Sequence, residues 1–288
     1  MRSLLEAMRP RQWSKNVFVL AGIVFAGRLF ERSAELRVLA AFAVFCAAAS
    51  AVYLANDVAD RASDAHHPLK KLRPVASGRL SPGSALIAAC VLAVASIAGA
   101  AALNRGTLAI VAAYLISTLA YNLGLKRVFL LDVMIVAAGF VLRAAAGAEC
   151  IDAEISPWLL TCSFLLALFL ALGKRRAELV LLGTGATGHR AALGHYSVPL
   201  VDSWLAALNG AAIVSYALYT QSPRTVEHFG TTSLLYTLPF VIYALFRYQH
   251  HVVRDDAGGD PGLLLLTDRG LWIAILGWAA TAAIVIYR

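Results

Sequence analysis

Four residues with oxygen-bearing heads fall in one short stretch: Asn56, Asp57, Asp60 and Asp64. On a helix, aspartates at i, i+3 and i+7 point within about 60° of one another. Asn56, Asp60 and Asp64 follow i, i+4 and i+8 and extend the same face. Three like charges on one stripe repel and need a counter-charge. Mg²⁺ supplies one well, because it takes carboxylate oxygens, keeps several waters and bridges to substrate phosphates. The expected metal set is therefore Asn56, Asp57, Asp60 and Asp64, with Asp57 and Asp60 acting in catalysis through the ion. The bland alternative is a solvated helix end balanced by His66, His67, Lys70, Lys71 and Arg73.

Cations follow the acids. In Lys70-Lys71-Leu72-Arg73-Pro74 and on to Ser77-Gly78-Arg79, fixed positive charge is available to a leaving group. Arg73 stands beside Pro74 in a rigid turn, so it is expected to contact a phosphate and to take part in catalysis, with Lys70 as a further contact. Positive-inside topology alone would also account for Lys70 and Lys71. Ser81 reads as the cap of the next helix, with Pro82 at its first position. Further along come Lys126 and the run Lys174-Arg175-Arg176-Ala177-Glu178. Lys174 and Glu178 also fit a plain i, i+4 pair. Asp132 could cap a helix or approach the metal, and Arg143 reads as a bundle-pairing or snorkelling residue.

These groups must be positioned by membrane helices. The chain is 60% hydrophobic and only 15% charged, whereas soluble domains run near 45–50% apolar and about 25% charged. Runs suited to crossing a bilayer occur at 17–30, 36–56, 84–103, 107–124, 131–148, 156–173, 201–221, 232–246 and 270–287, which predicts an all-α integral membrane protein of about nine spanning helices. No linker divides the chain, so residues 1–288 read as a single polytopic membrane domain. With the N-terminus inside, segments 1–16, 57–83, 125–130, 174–200 and 247–269 share a side and hold 18 of the 25 Lys and Arg residues. That bias puts the N-terminus in the cytoplasm, the C-terminus opposite and the chemistry facing the cytoplasm. The net charge of +8 is spent on this orientation, so nucleic acid is not an expected partner. The apolar pattern continues past the first run, so a cleaved signal peptide is not expected. Cys46, Cys90, Cys150 and Cys162 form no CxxC pair, and the histidines have no metal-ligand spacing.

Asn56-Asp57-x-x-Asp60-x-x-x-Asp64 leaving the second helix, followed by Arg73-Pro74-x-x-Ser77-Gly78-x-x-Ser81, resembles the UbiA superfamily of intramembrane prenyltransferases. The resemblance extends over the whole chain and includes the segment Tyr121-Asn122 to Lys126-Arg127. Arg9-Pro10-Arg11-Gln12-Trp13-Ser14-Lys15-Asn16 and Gly173-Lys174-Arg175-Arg176-Ala177-Glu178-Leu179 are similar to its decaprenyl-phosphate phosphoribosyltransferase branch. That branch implies Mg²⁺-dependent transfer of 5-phosphoribose from phosphoribosyl pyrophosphate (PRPP) to a polyprenyl phosphate in the inner membrane, feeding cell-wall arabinan precursors. Superfamily members that use prenyl diphosphates carry a second motif, DxxxD, after helix six. Here three bases and Glu178 stand there instead. A cationic pocket suits a donor with an extra phosphate on ribose C5.

The resemblance thus implies Lys126, Lys174 and Arg175 at the 5-phosphate with Glu178 beside them. It implies Arg11, Lys15 and Asn16 at the polyprenyl phosphate head. The competing enzyme reading is prenyl transfer from a prenyl diphosphate to an aromatic acceptor such as 4-hydroxybenzoate. A transporter is the non-enzymatic alternative, disfavoured by the lack of an internal repeat and by acids at a helix exit. Nothing in the sequence argues against a homo-oligomer.

Overall fold

The computed structural model describes residues 2–66, 70–182, 191–255, 257–259 and 261–287, and every regular element among them is helical. The helices are α1 (Arg2–Met8), α2 (Ala21–Phe25), α3 (Arg32–Ala59), α4 (Arg61–Ala65), α5 (Pro82–Leu103), α6 (Arg105–Leu123) and α7 (Leu131–Glu149). They continue with α8 (Pro157–Leu182), α9 (Val198–Gln221), α10 (Pro223–Phe229), α11 (Leu238–Arg254), α12 (Pro261–Thr267) and α13 (Arg269–Ile286).

Seven of these are long and apolar enough to cross a bilayer: α3, α5, α6, α7, α8, α9 and α13. An eighth crossing forms if α10 and the segment Ser233–Arg254, bent by 98°, count as one span. The break falls at Gly230, which takes the left-handed φ of +67° that ends α10. The expected nine is therefore not reached among the described residues. The first apolar run, 17–30, is where the count differs. Residues Pro10–Leu20 wind as a 3₁₀ helix, α2 has five residues, and Gly27 at φ +66° ends it.

The packing is that of a membrane protein: interior positions are small and the outer positions large. Ala41, Ala48, Ala85 and Ala100 are almost fully buried, while Ile87, Val94, Ile116 and Ile273 are two-thirds or more exposed. In water such a surface would be a liability; lipid is the solvent it fits. Small residues also let backbones approach closely. At Gly147 an added Cβ would lie 1.8 Å from the Val19 carbonyl oxygen, so α7 can cross the N-terminal segment only as glycine.

The chain forms two compact units, with the boundary falling inside α7. Unit 1 comprises Met1–Leu123 and Leu142–Ile155; unit 2 comprises Gly124–Val141 and Ser156–Arg288. In unit 1, α3 packs along α5 around Phe45, Val38 and Val111. At one end of this unit, Asn104 donates to the Glu149 carbonyl (2.6 Å) and to Asp152 (2.9 Å), and Arg37 bonds Asp152. Arg37 and Asp57 lie on the same helix, about 30 Å apart at 1.5 Å per residue, so the acidic cluster sits at the other end. In unit 2, α8 packs on α9 around Phe169, Leu172, Leu205 and Leu271. Its helix starts are capped by Ser197, Ser222 and Asp268.

Candidate active site

The helical path runs almost unbroken through the acidic cluster. α3 ends at Ala59, yet the Asp60 amide still bonds the Asn56 carbonyl (2.8 Å), and the Asp64 amide bonds that of Asp60 (2.9 Å). The i, i+3, i+7 spacing therefore keeps its geometric meaning. Asp57 and Asp64 are buried, and Asn56 and Asp60 are half-buried. One nitrogen of Arg73 reaches both buried acids, at 2.5 Å from Asp64 Oδ2 and 3.4 Å from Asp57 Oδ1.

Arg73 is delivered by the turn the sequence predicts. The Arg73 amide bonds the Lys70 carbonyl (2.9 Å), the Ser77 amide bonds that of Arg73 (2.9 Å), and Gly78 takes φ +78°. Val75 plugs this turn into a small core with Ala7, Leu54 and Ala85. Ser81 caps α5 through the Ser84 amide at 3.0 Å.

A second cation at the cluster entered the sequence reading only as part of the basic N-terminal segment and of the family-like run at 9–16, with no role of its own. Arg9 bonds Asp57 Oδ1 and lies over the Tyr53 ring at 4.9 Å. Its backbone is left-handed, at φ 54° and ψ 61°, a strain that non-glycine residues hold only where their surroundings enforce it. Here two ties enforce it. Trp13 donates to Ser50 (3.1 Å), which in turn donates to the Met8 carbonyl (3.2 Å). Arg79 forks onto Glu6 of α1 at 2.7 and 2.9 Å, and this bond holds the Glu6 carboxyl below its ordinary range.

The buried Asp57 Oδ2 is left without a hydrogen bond. A buried carboxylate oxygen with no partner is costly, and a hard cation would satisfy it. Asp57, Asp60, Asp64 and the Asn56 carbonyl form an all-oxygen donor set, so these residues fit Mg²⁺.

At the N-terminal pair, Lys15 is exposed, whereas Asn16 is fully buried. Asn16 accepts from Arg143 Nε (2.7 Å) and donates to Cys46 Sγ (3.2 Å). Arg143 also donates to the Tyr114 hydroxyl (2.8 Å) and stacks over its ring, so it pairs within its unit rather than snorkelling outward. Lys15 is thus the outward-facing member of that pair.

Unit 2 holds the other predicted cations. Lys174 is exposed, Lys126 is half-buried, and Arg175 is only 4% exposed. Arg175 Nε donates to Asp132 Oδ2 at 2.7 Å, and its Nη1 bonds Glu178. A buried guanidinium spent on two carboxylates is poorly placed for first contact with a phosphate. Glu178 therefore pairs with Arg175 at i, i+3. Arg176 braces the bundle, donating to Asp202 (2.7 Å) and to the Val252 carbonyl (2.8 Å). Asp132, whose role sequence left open, is fully buried and also accepts from the Tyr196 hydroxyl at 2.6 Å. Tyr196 was not singled out from sequence, because 64 residues separate it from Asp132.

Histidine offered no expected metal site, yet His250, His251 and Asp255 bring ligand atoms within 4.8 Å of one another. His251 already has a carboxylate at each ring nitrogen, Asp255 at 2.7 Å and Asp268 at 3.0 Å. His67 and His189 lie outside the described residues.

A multi-pass helical membrane protein with an Asn–Asp cluster at the end of its longest span has counterparts among known proteins. Residues 16–265 match the UbiA prenyltransferase family, and the chain belongs to it. It is similar to the decaprenyl-phosphate phosphoribosyltransferase of Mycolicibacterium smegmatis, at 37% identity over 99% of this chain and 92% of that one. The Corynebacterium glutamicum protein of the same name is 35% identical over 99% of this chain and 86% of its own length. Among solved structures, a UbiA homolog from Archaeoglobus fulgidus bound to GPP and Mg²⁺ superposes with a TM-score of 0.73. It is 18% identical, covering 99% of this chain and 100% of that one, and so establishes the shared fold.

Proposed function

We propose that this enzyme transfers 5-phosphoribose from PRPP to a polyprenyl phosphate, releasing diphosphate, and that its two units act as one transferase domain. The observation that carries this reading is the near-full-length similarity to decaprenyl-phosphate phosphoribosyltransferases. The basic run at Lys174, where an acidic motif would serve a prenyl diphosphate, supports it. The active site faces the cytoplasm, at the inner membrane, where PRPP is soluble.

Asp57, Asp60 and Asp64, assisted by Asn56, would hold Mg²⁺. The bound ion would neutralise charge on the diphosphate oxygens. Arg73 and Arg9, both paired with Asp57, lie beside the acids that would hold the ion and so would lie beside the diphosphate. Their positive charge then stabilises the leaving group as the C1–O bond breaks and the ribose becomes oxocarbenium-like. The electron pair of that bond leaves with diphosphate, and an oxygen of the polyprenyl phosphate forms the new bond to C1. That phosphate is already anionic, so no strong base is required. Lys70 adds charge beside Arg73, Lys126 and Lys174 contact the 5-phosphate, and Lys15 with Arg11 steers the lipid phosphate. Arg175 and Glu178 act from behind, by positioning.

Purified enzyme incubated with labelled PRPP and polyprenyl phosphate should form labelled lipid. A parallel reaction with labelled prenyl diphosphate and 4-hydroxybenzoate should not. Chelation with EDTA should stop the first reaction and Mg²⁺ should restore it. Product in the second reaction alone would overturn the assignment.

A further inference from the structure

The loop that carries Lys126 is held by an unusual chain of bonds. Gly124 leads into the turn Leu125–Arg127, and Leu130 then adopts φ +65°. A branched residue in that region is strained, so something outside the loop must fix it. The Leu130 amide donates to the Tyr196 hydroxyl at 3.2 Å. That hydroxyl donates onward to Asp132 Oδ1 at 2.6 Å, and Asp132 Oδ2 takes Arg175 Nε at 2.7 Å. Tyr196, Asp132 and Arg175 are all buried. The Tyr196 ring is gripped edge-on by Phe129 at 4.9 Å and Trp204 at 6.1 Å. Burial, together with its bond to Asp132, pushes the Tyr196 hydroxyl above its ordinary pKa, so it stays a donor.

We infer that Tyr196 is a positioning residue for phosphate binding: its hydroxyl ties the backbone of the Lys126 loop to the Asp132–Arg175 pair and hence to the helix that carries Lys174. This rests on the assignment of Lys126 and Lys174 to the 5-phosphate. Neither Asp132 nor Tyr196 touches substrate; together they set where the loop amine stands before PRPP arrives. Pre-ordering of this kind lowers the cost of binding and leaves the bond-breaking step alone.

The test uses the full-length enzyme in detergent or nanodiscs. Tyr196→Phe keeps the ring and its aromatic contacts but strands the Leu130 amide and one Asp132 oxygen. Hydrogen–deuterium exchange over residues 124–131 should quicken. KM for PRPP should rise about tenfold, the scale of one stranded buried partner, while kcat and the KM for polyprenyl phosphate stay nearly constant. Unchanged exchange over 124–131, or a joint shift of both KM values and kcat, overturns the inference. Should Tyr196→Phe not fold, Asp132→Asn weakens the same chain at its acceptor and is read by the same two measurements. Lys126→Ala separates the premises, because it should raise the PRPP KM without changing exchange. An unchanged PRPP KM there would overturn the phosphate assignment, while the exchange data would still judge the tie.

Discussion

Asp57 is asymmetric: Oδ1 is shared by Arg9 and Arg73, and Oδ2 is buried with no partner. Two arginines on one oxygen offset its charge and leave the other oxygen open to a cation. Asp60 is half-exposed on the same stripe, so Asp60→Asn should preserve the fold and remove one anionic ligand. Its turnover should fall by about 10²–10³-fold, the scale of losing one charge-stabilising group, with an unchanged melting temperature. Wild-type activity in that variant would sink the metal assignment. Arg9→Ala should lose activity by about tenfold or more and should also melt earlier, since it leaves Asp57 with one cation fewer. Activity equal to wild type would reduce Arg9 to a topology signal. The aspartates and Arg73 were legible in the sequence because they lie within two helical turns and one short loop. Arg9 and Tyr196 were not, because each meets its acid across 48 or 64 residues and local spacing carries no trace of that.

At the scale of elements, apolar runs predicted eight of the nine segments as helices, and capping residues such as Ser81 marked a start correctly. The run at 17–30 misled because hydropathy registers burial in lipid but is blind to winding. Pro10, the strained Arg9 and the close approach at Gly22 to Gly147 hold that stretch in short pieces. The far end of unit 1 permits a pH prediction. Hydrogen bonds from Arg37 and Asn104 hold the Asp152 carboxyl below its ordinary range. A depressed carboxylate contributes stability above its ordinary pKa and loses it as pH falls through the lowered one. Thermal melts should therefore rank wild type slightly above Asp152→Asn at neutral pH, with the gap closing in strong acid. Asp152 is exposed, so the gap should be small. A gap that widens on acidification would contradict this account.

The membrane setting of the whole molecule was legible in its apolar excess and in the skew of its charges. Both follow from lipid acting as solvent, which composition registers directly. The division into two compact units was not legible, since it falls inside α7, which stays helical without interruption from Leu131 to Glu149. The charge skew predicts an orientation, which can be tested without reference to activity. Arg73 and its turn belong with the basic segments, and Glu154 belongs with the acidic connection that follows α7. In a background lacking Cys46, Cys90, Cys150 and Cys162, a cysteine at exposed Ser77 should react with an impermeant maleimide only in inverted vesicles. A cysteine at exposed Glu154 should react only in right-side-out vesicles. The opposite pattern would put the Asp57 cluster on the face without PRPP. The proposed reaction would then fail on access alone, even with every site residue correctly assigned, because a soluble, multiply charged donor cannot cross the bilayer to reach it.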